Sequence, residues 1–158
     1  MKPPDEEELL QLCVWKVGQE DYVVDLRRID EILSVPQVTR VPRAPSFLDG
    51  VVKLRGDVLP VVDVRRRLGV SPNATPAVAP SGKVKLRERL VVCRIGTRRV
   101  GFVVDAVTQV LKVPRASLRP AALTNRPGGR PHVLGVCGEQ DALKLMLDVK
   151  ALVSEEES

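Results

Sequence analysis

Residues 50–62 read GVVKLRGDVLPVV, two apolar runs on either side of the tripeptide Arg55-Gly56-Asp57. Short runs rich in valine suit β-strands, and a glycine-containing tripeptide between two of them is typical of a tight hairpin turn. The stretch therefore predicts two antiparallel strands, at 50–54 and 58–62. Gly56 fits the turn, because such turns need a residue with a positive φ angle.

The same pattern occurs twice in the chain. One gapless alignment of the chain with itself pairs Gly18 with Gly96, and a second alignment pairs Asp63 with Asp148. Self-similarity of this kind indicates two copies of one supersecondary unit, although two copies are too few for a solenoid. The predicted organisation of residues 1–158 is a subdomain at about 12–70, a linker at 71–88, a second subdomain at about 89–153 and an acidic tail at 154–158.

Each copy is predicted to form five short strands, which favours an all-β fold of small barrels. Residues 27–33 fit a helical turn or a strand, and the strand is favoured. The prolines around 38–41 restrict that segment to an edge strand or a connector. A short helix is expected at 149–153. The other predicted strands are 12–17, 21–26, 90–95, 100–104, 108–113, 132–137 and 142–147.

The charge of the chain raises the possibility of a nucleic-acid-binding barrel. Its formal net charge is +5, with Lys and Arg in several clusters that have acidic residues between them. Clustered cations suit phosphate contacts, but only 3% of the residues are aromatic, which leaves little material for stacking bases. A small-barrel nucleic-acid binder therefore stays as the alternative to a protein-binding module.

The apolar residues and cysteines indicate where the protein works. No run approaches the roughly 20 apolar residues that a membrane span needs, and the acidic residues 1–8 do not resemble a signal peptide. Three cysteines, Cys13, Cys93 and Cys137, are dispersed within apolar runs, which favours buried thiols over disulfides. We expect a cytoplasmic protein without direct membrane insertion.

Candidate catalytic groups are scarce. His132 is the single histidine of the chain, so neither a nucleophile–base pair nor a zinc site with close-spaced ligands can be assembled from the sequence. Asp63 and Asp148 occupy matched repeat positions after strands, which predicts capping or turn roles. The sequence therefore predicts no enzyme activity, no metal and no cofactor.

Five blocks of sequence resemble, in order and spacing, the signature of the CheW coupling-protein family. They cover nearly the whole chain, from about 12 to 153, and the most specific block is 50–65. The blocks are Tyr22-Val23-Val24-Asp25, Ile29-Asp30-Glu31-Ile32, Gly50-Val51-Val52-Lys53-Leu54-Arg55-Gly56, Leu59-Pro60-Val61-Val62-Asp63-Val64-Arg65 and Val100-Gly101-Phe102-Val103-Val104-Asp105.

The resemblance implies two tandem five-stranded SH3-like β-barrel subdomains packed on each other. It also implies a non-catalytic adaptor that couples the cytoplasmic tip of methyl-accepting chemoreceptors to the regulatory domain of a CheA-type histidine kinase. Other CheW-like domains are further possible partners, in receptor arrays. A regulatory barrel that has lost receptor binding would keep the same fold.

The resemblance also implies site residues. Glu31 and Arg55 match the family's charged pair beside the receptor groove, and Ile29, Gly56 and Val110 match positions associated with partner contacts. Ile29 and Val110 also fit ordinary core positions. Three further residues are expected in structural roles, Gly50 and Gly101 at close backbone approaches and Asp63 at a turn or cap.

Lys53 departs from the pattern, because the family commonly has asparagine before the Leu-Arg-Gly block. This change makes the edge of the expected groove more basic and leaves the identity of the partner open.

Overall fold

The computed structural model describes residues 9–69, 88–120, 132–138 and 144–153. Within these ranges the chain is mostly β. The strands are β1 (Leu9–Val17), β2 (Glu20–Asp25), β3 (Ile29–Ser34), β4 (Leu48–Leu54), β5 (Asp57–Asp63), β6 (Arg89–Ile95), β7 (Arg98–Val104), β8 (Ala106–Pro114), β9 (Arg119–Pro120), β10 (Val133–Cys137) and β11 (Lys144–Leu147). The helices are α1 (Val64–Arg67), α2 (Val149–Leu152) and the 3-10 turns Leu26–Arg28 and Arg115–Ser117.

The strands form two sheets, and each sheet combines strands from both sequence repeats. The five-stranded sheet has the order β3-β6-β7-β5-β4, and the six-stranded sheet has the order β8-β1-β2-β11-β10-β9. The first two strands of each repeat therefore lie in the sheet that holds the remaining strands of the other repeat, four in the six-stranded sheet and three in the five-stranded sheet. Parallel pairing of β5 with β7 and of β2 with β11 completes this exchange.

The mostly β fold with two sheets and few short helices is confirmed, but the strands are distributed differently from the expectation of tandem subdomains. Dividing the chain into 12–70 and 89–153 does not separate the two sheets. Self-alignment shows which segments are alike, whereas pairing depends on which apolar faces are covered when the two repeats meet. Closure of each sheet on its own repeat would not place β1 beside β8 or β3 beside β6.

Three apolar cores follow from the alternation of side chains along the strands. On β1, Cys13 and Trp15 face the core between the two sheets, while Leu12 and Val14 face the interior of the six-stranded sheet. The β6 strand behaves in the same way. Strands buried on both faces carry continuous apolar runs, which explains the valine-rich sequence.

Several local predictions are confirmed. The 27–33 segment contains both elements considered for it, a 3-10 turn at Leu26–Arg28 followed by β3. The predicted terminal helix is α2, and the 38–41 segment is a connector with one bridge, Thr39 to Val51. Most of the predicted linker, the tail and residues 142–143 of the last predicted strand lie outside the described residues.

The three thiols are buried, as the sequence predicted. Burial, together with the neighbouring Cys13 thiol, raises the pKa of Cys93 to about 12. Burial likewise raises the pKa of Cys13 and of Cys137 above the usual range of a thiol. None of these groups has thiolate character at neutral pH.

We expect the native protein to resist thiol labelling. At pH 8, four units below the pKa of Cys93, only about one Cys93 in 10⁴ is a thiolate, and none of the three sulfurs is open to solvent. Ellman's reagent should therefore react within minutes in guanidinium chloride and negligibly over the same time in buffer. Fast release of colour from the native protein would contradict this burial.

Among the described residues, no helix is both long enough and apolar enough to span a bilayer.

Candidate partner-binding surface

Glu31 and Arg55 form an ion pair between the edge strand β3 and the β4–β5 turn at the opposite edge of the five-stranded sheet. Glu31 lies on β3 and Arg55 lies in the turn between β4 and β5, and Arg55 Nη2 is 3.0 Å from Glu31 Oε1. The Arg55 side chain is 70% exposed and the Glu31 side chain is 22% exposed. The carboxylate is therefore held in the protein while most of the guanidinium faces solvent.

The backbone of the β4–β5 turn presents Arg55 in this position. Leu54 pairs with Asp57 across a two-residue loop in which Arg55 has φ +53° and Gly56 has φ +85°. Two successive positive φ angles are typical of a type I′ hairpin turn, whose twist matches that of the flanking strands. Gly56 is exposed, and a Cβ there would meet nothing within 4 Å, so backbone conformation is its one observed structural requirement.

Four of the five predicted partner-binding residues lie on the five-stranded sheet. Ile29 begins β3, is partly buried and packs against the core between the sheets. Val110 lies instead on β8 of the six-stranded sheet, opposite Cys13, and is 46% exposed. Val110 is therefore not an ordinary core residue, and the structure does not place it with the Glu31–Arg55 pair.

The three residues expected in structural roles have such contacts. Gly50 has φ +156°, and a Cβ there would lie 2.3 Å from the carbonyl oxygen of Thr39. A Cβ on Gly101 would lie 2.7 Å from the end of the Leu90 side chain. Asp63 caps α1 by accepting the Arg65 N–H at 3.0 Å, and Asp148, its counterpart in the repeat, caps α2.

Arg65 is the centre of an ion-pair cluster that sequence reasoning missed. Its guanidinium lies 3.1 Å from Asp63, 2.9 Å from Asp105 and 2.7 Å from Glu88. Burial alone would lower the pKa of Arg65, but the hydrogen bonds that Arg65 donates to Asp63 and the charges of Asp63 and Asp105 raise that pKa above its ordinary value. The only sequence signal was the Asp-Val-Arg order after β5, which does not reveal the other two carboxylates.

Asp105 connects this cluster to the other sheet. Its carboxylate is 3% exposed and accepts the backbone N–H of Gly18, in the β1–β2 turn, at 2.7 Å. The Asp105 N–H in turn donates to the carbonyl of Lys16 at 3.0 Å. The cluster therefore fixes the end of the five-stranded sheet against a hairpin of the six-stranded sheet.

A second group missed from sequence lies directly beside Ile29. Arg27 and Arg28, in the 3-10 turn before β3, line an open cleft together with Arg94 of β6. Two of these arginines are paired, Arg27 with Asp25 at 2.8 Å and Arg94 with Asp30 at 3.2 Å. The hydrogen bond from Arg27 is the main cause that lowers the pKa of Asp25.

The described residues hold no group of three His, Cys, Asp or Glu side chains arranged for a metal ion. His132 lies buried just before β10, and its carbonyl accepts the N–H of Asp148 at 2.8 Å.

A comparison with protein families decides where this arrangement belongs. The model of the CheW-like domain matches residues 11–157, which contain every residue of the surface described above. The chain belongs to the CheW-like domain family. The exchange of strands between its two sheets is therefore a feature of a CheW-like domain.

Individual relatives agree with this assignment. The chemotaxis protein CheW of Klebsiella aerogenes is 29% identical over 93% of this chain and 83% of its own length. Protein FrzA of Myxococcus xanthus is 32% identical over 84% of this chain and 78% of its own. The crystal structure of the scaffolding protein TtCheW from Thermoanaerobacter tengcongensis superposes with a TM-score of 0.77 at 21% identity, covering 100% of this chain and 96% of that one.

Proposed function

We propose that this CheW-like domain is a non-catalytic adaptor that couples methyl-accepting chemoreceptors to a CheA-type histidine kinase. It would act in the cytoplasm, recruited to receptor arrays, and without a cofactor. The observation that carries the proposal is the Glu31–Arg55 pair, with its exposed guanidinium, in a chain whose family match covers residues 11–157. The names of its relatives, chemotaxis protein CheW and scaffolding protein TtCheW, support a role in assembly.

The geometry explains how an adaptor surface can work here. Glu31 holds one edge of the Arg55 guanidinium, so the remaining N–H groups are oriented before a partner arrives. An arginine that is already fixed loses less side-chain entropy on binding than a free one. Ile29, two residues before Glu31 on β3, packs against the core between the sheets and would contribute only the part of its side chain that stays exposed. The kinase regulatory domain would bind a separate surface of the domain, as would neighbouring CheW-like domains in an array.

The nucleic-acid alternative gains no support from the surface charges. Most arginines with described contacts are paired with carboxylates, which reduces the positive field available to a phosphate backbone. These pairs include Arg66 with Asp49 and Arg99 with Asp57. A strong dependence of partner binding on salt, with nucleic acid as the partner, would restore that alternative.

Replacing Arg55 with alanine should weaken partner binding and leave the fold intact. The pair is largely exposed, so its loss should cost at most about 1 kcal/mol of unfolding free energy, roughly 2–4 °C in melting temperature. The free energy of partner binding should fall by more than this loss of stability, because the variant lacks the oriented N–H donors of Arg55. The measurement is a pull-down from lysate by the wild-type and variant proteins, with the captured chains identified by mass spectrometry.

Arg66→Ala is the control, since Arg66 is also a partly exposed arginine paired with a less exposed carboxylate, that of Asp49 on β4, at 3.3 Å. We expect the wild type and this control to recover a chemoreceptor and a CheA-like kinase, and Arg55→Ala to lose one of them. Recovery of neither partner by the wild type would reject the adaptor proposal. A large fall in melting temperature for Arg55→Ala would show that the Glu31–Arg55 pair stabilises the fold and would argue against a role in binding.

A further inference from the structure

The cleft beside Ile29 combines three arginines with a turn glycine. It is open, has a volume of about 460 Å³ and is lined by Asp25, Arg27, Arg28, Arg94 and Gly96. Gly96 lies in the β6–β7 turn, next to the strand that carries Arg94. Both oxygens of Asp25 accept hydrogen bonds from Arg27, so this carboxylate is already satisfied.

The other repeat shows which group fits such a position. Gly18, the counterpart of Gly96, donates its N–H to the carboxylate of Asp105 at 2.7 Å. An arginine, Arg65, binds the same carboxylate at 2.9 Å from the opposite side. A turn N–H and a guanidinium thus form a carboxylate site, which a residue of the chain itself fills.

The repeat that contains Gly96 keeps the turn amide of this site and replaces both side chains, with Lys150 at the position of Arg65, while Arg28 and Arg94 supply guanidinium groups from other positions. Gly18 and Gly96 have the same φ of +64°, so the two turns match at this position. In the gapless alignment that pairs these glycines, Arg27 stands at the position of Asp105. Among the described residues, no acceptor is seen for the Gly96 N–H, and Arg28 forms no ion pair.

We propose that this cleft binds one carboxylate side chain, an Asp or Glu of the partner that docks beside Ile29. The inference rests on the adaptor function proposed above and adds the chemistry of the partner at one position. The partner's carboxylate would accept from the Gly96 N–H and from Arg28 and Arg94, in the arrangement that Asp105 has with Gly18 and Arg65.

The charge of the cleft favours one carboxylate group over a phosphate group. The cleft and its edge hold three guanidinium groups, Arg27, Arg28 and Arg94, against the carboxylates of Asp25 and Asp30. The balance is one positive charge, which one carboxylate neutralises. A dianionic phosphate or a nucleic-acid backbone would find the two fixed carboxylates repulsive.

The test follows the glycine amides of the ¹⁵N-labelled full chain by NMR. The probe is capped tetraglutamate, with capped tetraglutamine as the uncharged control. A new hydrogen bond to a carboxylate should move the Gly96 amide proton downfield and saturably with tetraglutamate alone. The Gly18 amide is an internal control and should not move, because Asp105 already accepts from it.

Two sets of variants assign the effect to the cleft. Arg28→Gln and the double variant Arg28→Gln/Arg94→Gln should reduce and then abolish the Gly96 shift. Lys112→Gln/Lys144→Gln removes the same charge from the six-stranded sheet and should leave the Gly96 shift unchanged. No saturable Gly96 shift, or an equal loss of that shift in the lysine control, would overturn the proposal.

A second measurement separates this proposal from the adaptor function. A purified chemoreceptor tip fragment should bind the wild type and the lysine control equally, and the double arginine variant at least tenfold more weakly. A tip fragment that binds all three equally would overturn the carboxylate site and leave the adaptor function standing. A shift of Gly96 with tetraglutamate but no binding of any tip fragment would support the site and reject receptor coupling.

Discussion

The Asp105→Ala variant should lose about 3 kcal/mol of unfolding free energy, the cost of removing one partner from a buried ion pair. The substitution leaves the Gly18 N–H without its acceptor and Arg65 with one fewer carboxylate. The expected fall in melting temperature is roughly 6–12 °C for a chain of this size. Urea unfolding followed by circular dichroism measures the free energy directly.

Two further variants identify the cause. Asp105→Asn keeps an oxygen that accepts from Gly18, so its loss of stability should be smaller than that of the alanine variant. Asp57→Ala also removes an aspartate paired with an arginine, but Asp57 is exposed, and its loss should be at most about 1 kcal/mol. If Asp105→Ala were as mild as Asp57→Ala, the cluster around Arg65 would not hold the two sheets together.

The Gly50→Ala variant should lose a similar amount, about 3 kcal/mol, because the added methyl group collides with fixed backbone. Its Cβ would lie 2.3 Å from the Thr39 carbonyl oxygen and 2.7 Å from Val38 Cγ1. That carbonyl accepts the N–H of Val51 at 2.8 Å, in the bridge between the connector and β4. Relief of the collision therefore requires loss of the bridge. Thermal unfolding of the variant against wild type is the measurement.

Gly56→Ala is the matched control, since Gly56 also has a positive φ but has open space around its Cα. Gly56→Ala should lose only the free energy of the strained backbone conformation, about 1 kcal/mol of unfolding free energy. Equal losses at Gly50 and Gly56 would mean that backbone conformation, and not the close approach to Thr39, accounts for glycine at position 50.

The sequence was sufficient for most of the local structure. The turn glycines and the caps at Asp63 and Asp148 follow from rules that depend on neighbouring residues alone. The repeat follows from comparing the chain with itself, which needs no structure. The Glu31–Arg55 pair was expected from the resemblance, and the two side chains are in contact at 3.0 Å. Their role in partner binding remains a proposal.

Long-range pairing was not predictable in this way. Nothing in β2 indicates that its parallel neighbour is β11, over a hundred residues later, because apolar strands of equal length pair with many others. The Arg65 cluster depends on the same tertiary arrangement. It brings Glu88 of the predicted linker and Asp105 of the second repeat to Arg65 of the first repeat. The position of Val110 on the second sheet also required the fold, and its role in partner contacts stays a proposal.

The exchange of strands between the repeats also sets an order for assembly during synthesis. The five-stranded sheet has all its strands once residue 104 has left the ribosome, whereas the six-stranded sheet needs β11, which ends at Leu147. The β1–β2 hairpin at the start of the chain lacks both of its neighbouring strands until β8 has been made, and it lacks β11 until residue 147 has left the ribosome. The first strands made are thus among the last to be covered, and a nascent chain stalled before β8 would expose the apolar faces of β1 to aggregation or to chaperones.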